Sequence, residues 1–268
     1  MKNLLINFLN YIPKSKKNYK MLLVGDIGNT VTKICLVDSN KKIIKKINFS
    51  SKNIKKLELK KEFNKLKIKN LTLEKCLFSS VVPNSFIVVK KYIKKNYKIK
   101  CFELKDLHFD KLIKIKVNKK QIGSDRLANA IGSMNNKDNF IILDFGTATT
   151  FDVLVKNVYH GGIISPGIKL SLNTLINNAS LIPSLKLKKI NKVIGSNTVN
   201  AVRSGFFWGY RGLIDGILNL IKKETKKSFK IIVTGGFSYL FNKFNNKKVT
   251  INNDITIKGL IKASYLIK

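Results

Sequence analysis

The chain has 268 residues, with an apolar fraction of 44% and a charged fraction of 25%. That is enough for one large core or two modest ones, and it excludes wholesale disorder. The net charge of +37 comes from 52 basic and 15 acidic residues, yet only Arg126, Arg203 and Arg211 are arginines. Lysine scattered through every segment is a poor substitute for the bidentate guanidinium of base and phosphate readout, so the charge does not predict a dedicated nucleic-acid partner.

Residues 1–20 read as an N-terminal extension: Leu4-Leu5-Ile6 follows a basic residue, but Asn7 and Asn10 interrupt the apolar run and no small-residue cleavage site follows. No apolar run reaches the roughly 18 residues a membrane helix needs. The expectation is a soluble, cytoplasmic protein without a membrane partner. Cys35, Cys76 and Cys101 are widely separated, with no Cys-x-x-Cys pair. His108 and His160 are the only histidines, which leaves little material for a histidine metal cage or a Ser/His/Asp triad. His160, beside Gly161 and Gly162, reads as a turn residue.

In chain order, residues 21–25 form an apolar run ending in Asp26-Ile27-Gly28-Asn29-Thr30, and a strand pattern resumes over 31–37 before the turn Asp38-Ser39-Asn40. A strand is predicted over 73–82, a turn at Pro83-Asn84, and helices over 85–97 and 124–134. Residues 140–143 repeat the first device: an apolar run ends in Asp144-Phe145-Gly146-Thr147-Ala148-Thr149, and a strand returns over 151–155. Helices are expected over 168–181 and 198–221, a strand over 230–233, and a closing helix over 259–267. The repetition predicts two related α/β domains facing each other across a cleft, 21–135 and 136–268.

Glycine lets backbone N–H groups approach a phosphate, and hydroxyls add donors. In the first loop Asp26 is placed to hold Mg²⁺, Gly28, Asn29 and Thr30 to line phosphates, and Lys33 to add charge. Alone, this loop reads equally well as a hairpin with an Asx-turn. The second copy, Asp144, Gly146, Thr147 and Thr149, turns the reading toward a clamp on a phosphate chain, and Thr234-Gly235-Gly236 offers a third close approach. Phosphorylating an alcohol further needs a carboxylate that orients the hydroxyl and takes its proton. Asp125, in Gly123-Ser124-Asp125-Arg126, is the candidate, although an acid near a helix start is also ordinary dipole chemistry. Arg126, an arginine in a lysine-rich chain, reads as a grip on a carboxylate or phosphate.

These motifs, with Gly161-Gly162-Ile163-Ile164-Ser165-Pro166-Gly167, Ile194-Gly195-Ser196-Asn197-Thr198 and the tract from Arg203-Ser204-Gly205 through Gly212, Asp215 and Gly216, stand in the order found in type III pantothenate kinases. The chain resembles that family from residue 21 to its end. The resemblance implies two ribonuclease-H-like domains of actin and sugar-kinase type, with mixed sheets. It implies transfer of the ATP γ-phosphate to pantothenate, giving 4'-phosphopantothenate, the first step of coenzyme A synthesis. It further implies a homodimer with active sites at the subunit interface.

Carried over residue by residue, the resemblance gives ATP binding to Asp26, Ile27, Gly28, Asn29, Thr30, Val31, Thr32 and Lys33, with Thr147. A monovalent cation, K⁺ or NH₄⁺, falls to Asp144, proton acceptance to Asp125, and pantothenate binding to Gly123, Ser124, Asp125 and Arg126. Thr198, from the partner subunit, closes the pocket. Where the family usually has tyrosine followed by Asp-Asn-Pro, this chain has Lys116, Val117, Asn118 and Lys119, so a substrate contact is either missing, with weaker pantothenate binding or partial loss of function, or replaced by Lys116. Alternatives are a non-catalytic relative of the Bvg accessory factors, a superfamily kinase with another acceptor, or a lysine-mediated nucleic-acid binder. For the motifs outside the phosphate loops a bland reading stands beside this one. Residues 161–167 can form a tight turn, and Gly205, Gly209 and Gly212 can let helices pack closely.

Overall fold

A computed structural model describes residues 20–267 apart from 53, 69, 70, 242, 245 and 246. Except for Lys20, the expected N-terminal extension lies outside the described residues. The first half runs β1 (Lys20–Ile27), β2 (Val31–Val37), β3 (Ile43–Ser50), α1 (Lys56–Leu66), β4 (Thr72–Ser80), α2 (Pro83–Tyr97), β5 (Phe102–Glu103), β6 (Lys114–Ile115) and α3 (Ser124–Ser133). The second half runs β7 (Asn139–Phe145), β8 (Ala148–Val155), β9 (Val158–Pro166), α4 (Ile168–Asn178), α5 (Thr198–Thr225), β10 (Lys230–Gly235), β11 (Lys243–Phe244), β12 (Lys247–Lys248), β13 (Thr250–Ile251) and α6 (Ile255–Ala263).

The first sheet has the order β3-β2-β1-β4-β5, and the second has β13-β10-β7-β8-β9-β6. In each, a three-strand antiparallel meander is extended by a strand parallel to its first member, β4 on β1 and β10 on β7. The same fold unit therefore occurs twice. Alternation along the strands sorts the core into layers. Leu23, Ile27, Ile34 and Leu36 face α1 and α2, whereas Val24, Cys35 and Val37 face α3 and α6. Phe140 and Ile142 cover the other side of α3 and α6, and Ile141, Leu143 and Phe145 face α4 and α5. Lys262 ties the central helices together by donating to the carbonyls of Gly132 and Met134, at 3.0 and 3.1 Å. Cys35, Cys76 and Cys101 are free and buried. Among the described residues no helix is long and apolar enough to cross a membrane.

Several local expectations need correction. Pro83-Asn84 is no separate turn but the start of α2, where proline's fixed φ and missing N–H suit the first helical position. His160 and residues 161–166 are strand rather than turn: 161–166 pair with β8, and His160 sits at the register shift in that pairing, between Tyr159 and Gly161. The helix read over 168–181 stops at Asn178, that over 198–221 continues to Thr225, and the closing helix begins earlier, at Ile255, and ends at Ala263. Neither β3 nor α1 is legible as an element in the sequence, since lysines fill their exposed faces and leave few apolar positions to mark a period.

Candidate active site

Both phosphate-loop motifs lie where a central strand ends and turns back. Asp26 pairs with Lys33 across β1 and β2, and Asp144 pairs with Thr150 across β7 and β8. The two hairpin tips meet: the Thr30 and Thr147 hydroxyls are 3.1 Å apart. Gly28, Asn29 and Thr30 lie in the exposed tip, whereas Ile27 is in the core and the Thr32 hydroxyl is turned inward to Ser51 at 2.8 Å. Of the residues read as ATP contacts, Ile27 and Thr32 thus offer backbone only. Val31 is exposed. Lys33 donates to the Asn253 carbonyl at 2.7 Å and lies 3.6 Å from Asp254, so its charge ties the first loop to the start of α6. The third glycine turn touches the second loop. Gly235 has φ +87°, a conformation glycine adopts without strain, and a Cβ there would stand 2.6 Å from Asp144 Oδ1.

Asp26 and Asp144 are each held by a residue that the motif reading missed. Ser79, buried on β4, donates to Asp26 Oδ1 at 2.6 Å. Asn129, buried one turn beyond Asp125 on α3, donates through Nδ2 to Asp144 Oδ2 at 3.2 Å, and its own oxygen accepts from Thr256 at 2.7 Å. A polar residue among Leu127, Ala128, Ala130 and Ile131 was the available signal for Asn129.

Asp125 sits in the first turn of α3 and accepts from the Arg126 amide at 2.8 Å. The same turn is anchored by Glu103, which accepts from the Ser124 hydroxyl and from the Ser80 amide, the latter at 3.3 Å. Asp125 is close enough to raise the pKa of both loop carboxyls. Burial, and then Asp125, push Asp26 up to about 6 against the Ser79 hydrogen bond. Burial, Asp125 and Asp26 push Asp144 up to about 7 against the Asn129 hydrogen bond. Burial also raises Asp125 itself, opposed by the Arg126 amide and guanidinium. Three half-buried carboxyls thus converge in a chain whose net charge is +37.

The Arg126 side chain is bonded to Asp152 on β8, a fully buried acid that sequence reading passed over although it interrupts an apolar strand. Lys116 is exposed beyond β6, and its amide donates to the Tyr159 carbonyl at 3.0 Å. Thr198 is exposed at the start of α5, capped by Asn197, and makes no side-chain hydrogen bond to the Asp125 region among the described residues. A cavity of about 350 Å³ lies nearby, lined by Lys188, Asn191, Gly195, Asn200 and Arg203 among others, and does not include the three carboxyls.

A family profile described as type III pantothenate kinase matches residues 22–220. The type III pantothenate kinase of Pelagibacter ubique is 66% identical over 248 residues, covering 92% of this chain and all of that protein. That of Ehrlichia canis is 34% identical over 251 residues, covering 90% of this chain and 94% of the relative. Two solved structures share the fold: a Baf family protein of Campylobacter jejuni and component A of the (R)-2-hydroxyglutaryl-CoA dehydratase of Acidaminococcus fermentans. The first has a TM-score of 0.56 at 18% identity, covering 90% of this chain and 96% of that one. The second has a TM-score of 0.51 at 11% identity, covering 91% and 96%. The duplicated sheets, the paired phosphate loops and the ordered motifs agree with these matches, and the chain belongs to the type III pantothenate kinase family, ATP-dependent kinases of pantothenate.

Proposed function

We propose that Asp125 is the proton acceptor and that the two hairpin tips hold ATP between them. The observation that carries this reading is that the helix start holding Asp125 is tied to both loops: Asn129, one turn on, bonds Asp144, and Glu103 joins Ser124 to Ser80, next to the Ser79 that bonds Asp26. The primary hydroxyl oxygen of pantothenate attacks the γ-phosphorus, the bond to the β,γ-bridging oxygen breaks, ADP leaves, and the hydroxyl proton passes to the Asp125 carboxylate. The Gly28 N–H closes the hairpin on the Val31 carbonyl at 3.2 Å, so the backbone N–H of Asn29, with the hydroxyls of Thr30 and Thr147, binds and orients the phosphates beside Gly28, and Lys33 balances charge beside Asp26. Val31 and the backbone of Ile27 and Thr32 complete the loop. Gly123, Ser124 and Arg126 hold pantothenate, with Lys116 at the rim. The lobes are residues 21–135 and 136–268.

The site fits cations. Asp125 raises the pKa of both Asp26 and Asp144, and Asp26 that of Asp144, a repulsion that a positive ion would relieve, Mg²⁺ at Asp26 and K⁺ or NH₄⁺ at Asp144. Among the described residues no cluster of three or more His, Cys, Asp or Glu side chains forms a cage, so phosphate oxygens and water would complete each shell. Held there by Asp26 and Asp144, such ions would supply charge neutralisation for the transferring phosphoryl group.

We further propose a homodimer. Gly205, Gly209, Gly212 and Gly216 follow one stripe of α5 with nothing within 4 Å of their missing Cβ atoms, and Leu213 and Leu220 beside them are exposed. A second copy of α5 laid along this stripe would bring a partner's Thr198 toward the site. The reaction is assigned to the cytoplasm, which supplies ATP and keeps thiols such as Cys35 reduced. The test is ADP release by purified protein, expected to require pantothenate, Mg²⁺ and a monovalent cation together. A folded dimer that releases no ADP under those conditions sinks the reading.

A further inference from the structure

Asp152 lies in the middle of β8 among the core residues Phe151, Val153 and Leu154, with no exposed surface. An acid in that place is unfavourable unless it is paired and hydrogen-bonded. Arg126 reaches it from α3: Nε donates to Asp152 Oδ1 at 2.7 Å, and a terminal guanidinium nitrogen lies 2.7 Å from the same oxygen without hydrogen-bond alignment. Tyr159, buried on β9, donates its hydroxyl to that oxygen at 2.6 Å. Burial and the neighbouring Asp152 push the phenol pKa upward, so Tyr159 keeps the proton it donates.

The approach of the guanidinium depends on Gly162, which faces Asp152 in the β8–β9 register. A Cβ there would stand 2.5 Å from the Arg126 guanidinium nitrogen and collide with the Phe151 carbonyl. The Arg126 side chain is 14% exposed and that of Asp152 0%, and Arg126 Nη2 is buried without a hydrogen-bond partner among the described residues, a donor left over for a ligand.

We propose that Asp152 and Tyr159 are positioning residues for the acceptor substrate: together they lock the Arg126 guanidinium so that its unused donor meets pantothenate. The inference rests on the reading of Arg126 as a pantothenate contact. It places substrate selection in the second sheet, although Arg126 itself belongs to the first half of the chain.

The test is steady-state kinetics with both substrates on Tyr159→Phe, Arg126→Gln and the double variant. Tyr159→Phe keeps the ring and removes the donor. Its expected effect is a rise of about three- to tenfold in KM for pantothenate, with KM for ATP and kcat within about twofold of wild type. In the Arg126→Gln background, where KM for pantothenate is already raised, the same substitution has no further effect. Asp152→Asn raises KM more strongly. Should it fail to fold, the tyrosine cycle still decides. Additive effects, or equal rises in both KM values, mean that Tyr159 supports the core alone and overturn the inference. If Arg126→Gln leaves KM for pantothenate unchanged in an enzyme that turns pantothenate over, the reading of Arg126 fails, and this inference fails with it. Wild-type protein without turnover instead strikes the proposed reaction itself.

Discussion

The hydroxyls of Thr30 and Thr147 lie 3.1 Å apart although 117 positions separate them in the chain. Each is at the tip of a hairpin from a different sheet, so the pair marks the place where the duplicated units face one another. Both residues are exposed, and in the proposed ATP site each hydroxyl would bring one donor to a phosphate oxygen. Thr147→Val keeps the shape and removes the donor. The expected result is a rise of about three- to tenfold in KM for ATP, with KM for pantothenate unchanged. Initial-rate measurements varying each substrate in turn check it, and an equal change in both constants contradicts the assignment.

Asp125→Asn preserves volume and the first turn of α3 but cannot take a proton from the substrate hydroxyl. General-base contributions of about 10²- to 10⁴-fold set the expected loss in kcat. Removing a like charge near Asp26 and Asp144 leaves ATP binding intact or slightly tighter, which calorimetric titration with a non-hydrolysable ATP analogue checks. A kcat near that of wild type removes Asp125 from the role of base.

The elements that carry glycine-rich motifs were legible because their chemistry is local. Asp26 to Thr30 and Asp144 to Thr149 each combine a strand end, a turn and donors within a few residues, and the structure joins the two tips. The residues that hold those motifs in place were not legible. Ser79, Asn129, Asp152 and Tyr159 each act on a partner brought near by sheet pairing or helix packing, and a buried serine or asparagine carries no periodic signal of its own. Glycines were ambiguous for the same reason. Gly162 sits in a strand against Arg126, while Gly209 sits in a helix against nothing, and the sequence alone offers a turn or a packing contact for either.

Asp152 gives a pH dependence of stability. Burial raises its pKa from 3.8 to about 6, opposed by Arg126 and by the Tyr159 hydroxyl, with Asp125 adding to the rise. Because the folded value exceeds the unfolded one, its contribution is fully present below about pH 4 and is lost as pH rises through about 6. The span corresponds to about 3 kcal/mol, or roughly 5–10 °C in Tm for a protein of this size. Asp152→Asn removes the titration while adding a pH-independent offset. The Tm of wild type minus that of Asp152→Asn therefore falls between pH 4 and 7, and a flat difference across that range refutes the assignment.

Lys226 ends α5 with φ +53°, where its amide caps the Lys222 carbonyl at 2.9 Å. A left-handed cap strains an ordinary side chain and suits glycine. Lys226→Gly keeps the cap hydrogen bond and relieves the strain, so it is expected to stabilise the protein by about 0.5–1 kcal/mol, against the greater chain entropy of glycine when unfolded. Chemical denaturation with an unchanged m-value and a higher midpoint is the supporting outcome.

Gly209 separates the fold of the subunit from its assembly. Its Cβ position has nothing within 4 Å and the residue is exposed, so a side chain can leave the backbone there without a clash at Cβ inside one subunit. Glycine within a helix costs about 1 kcal/mol relative to alanine, and leucine is nearly as good a helix former as alanine, so Gly209→Leu stabilises α5 in isolation. Against a second α5 laid along the same stripe, a leucine holds the backbones apart and breaks the close contact. The expected outcome is unchanged helical circular dichroism, a shift from dimer to monomer in sedimentation velocity, and loss of most turnover as the partner's Thr198 is withdrawn. A variant that stays dimeric and active rules out this stripe as the interface.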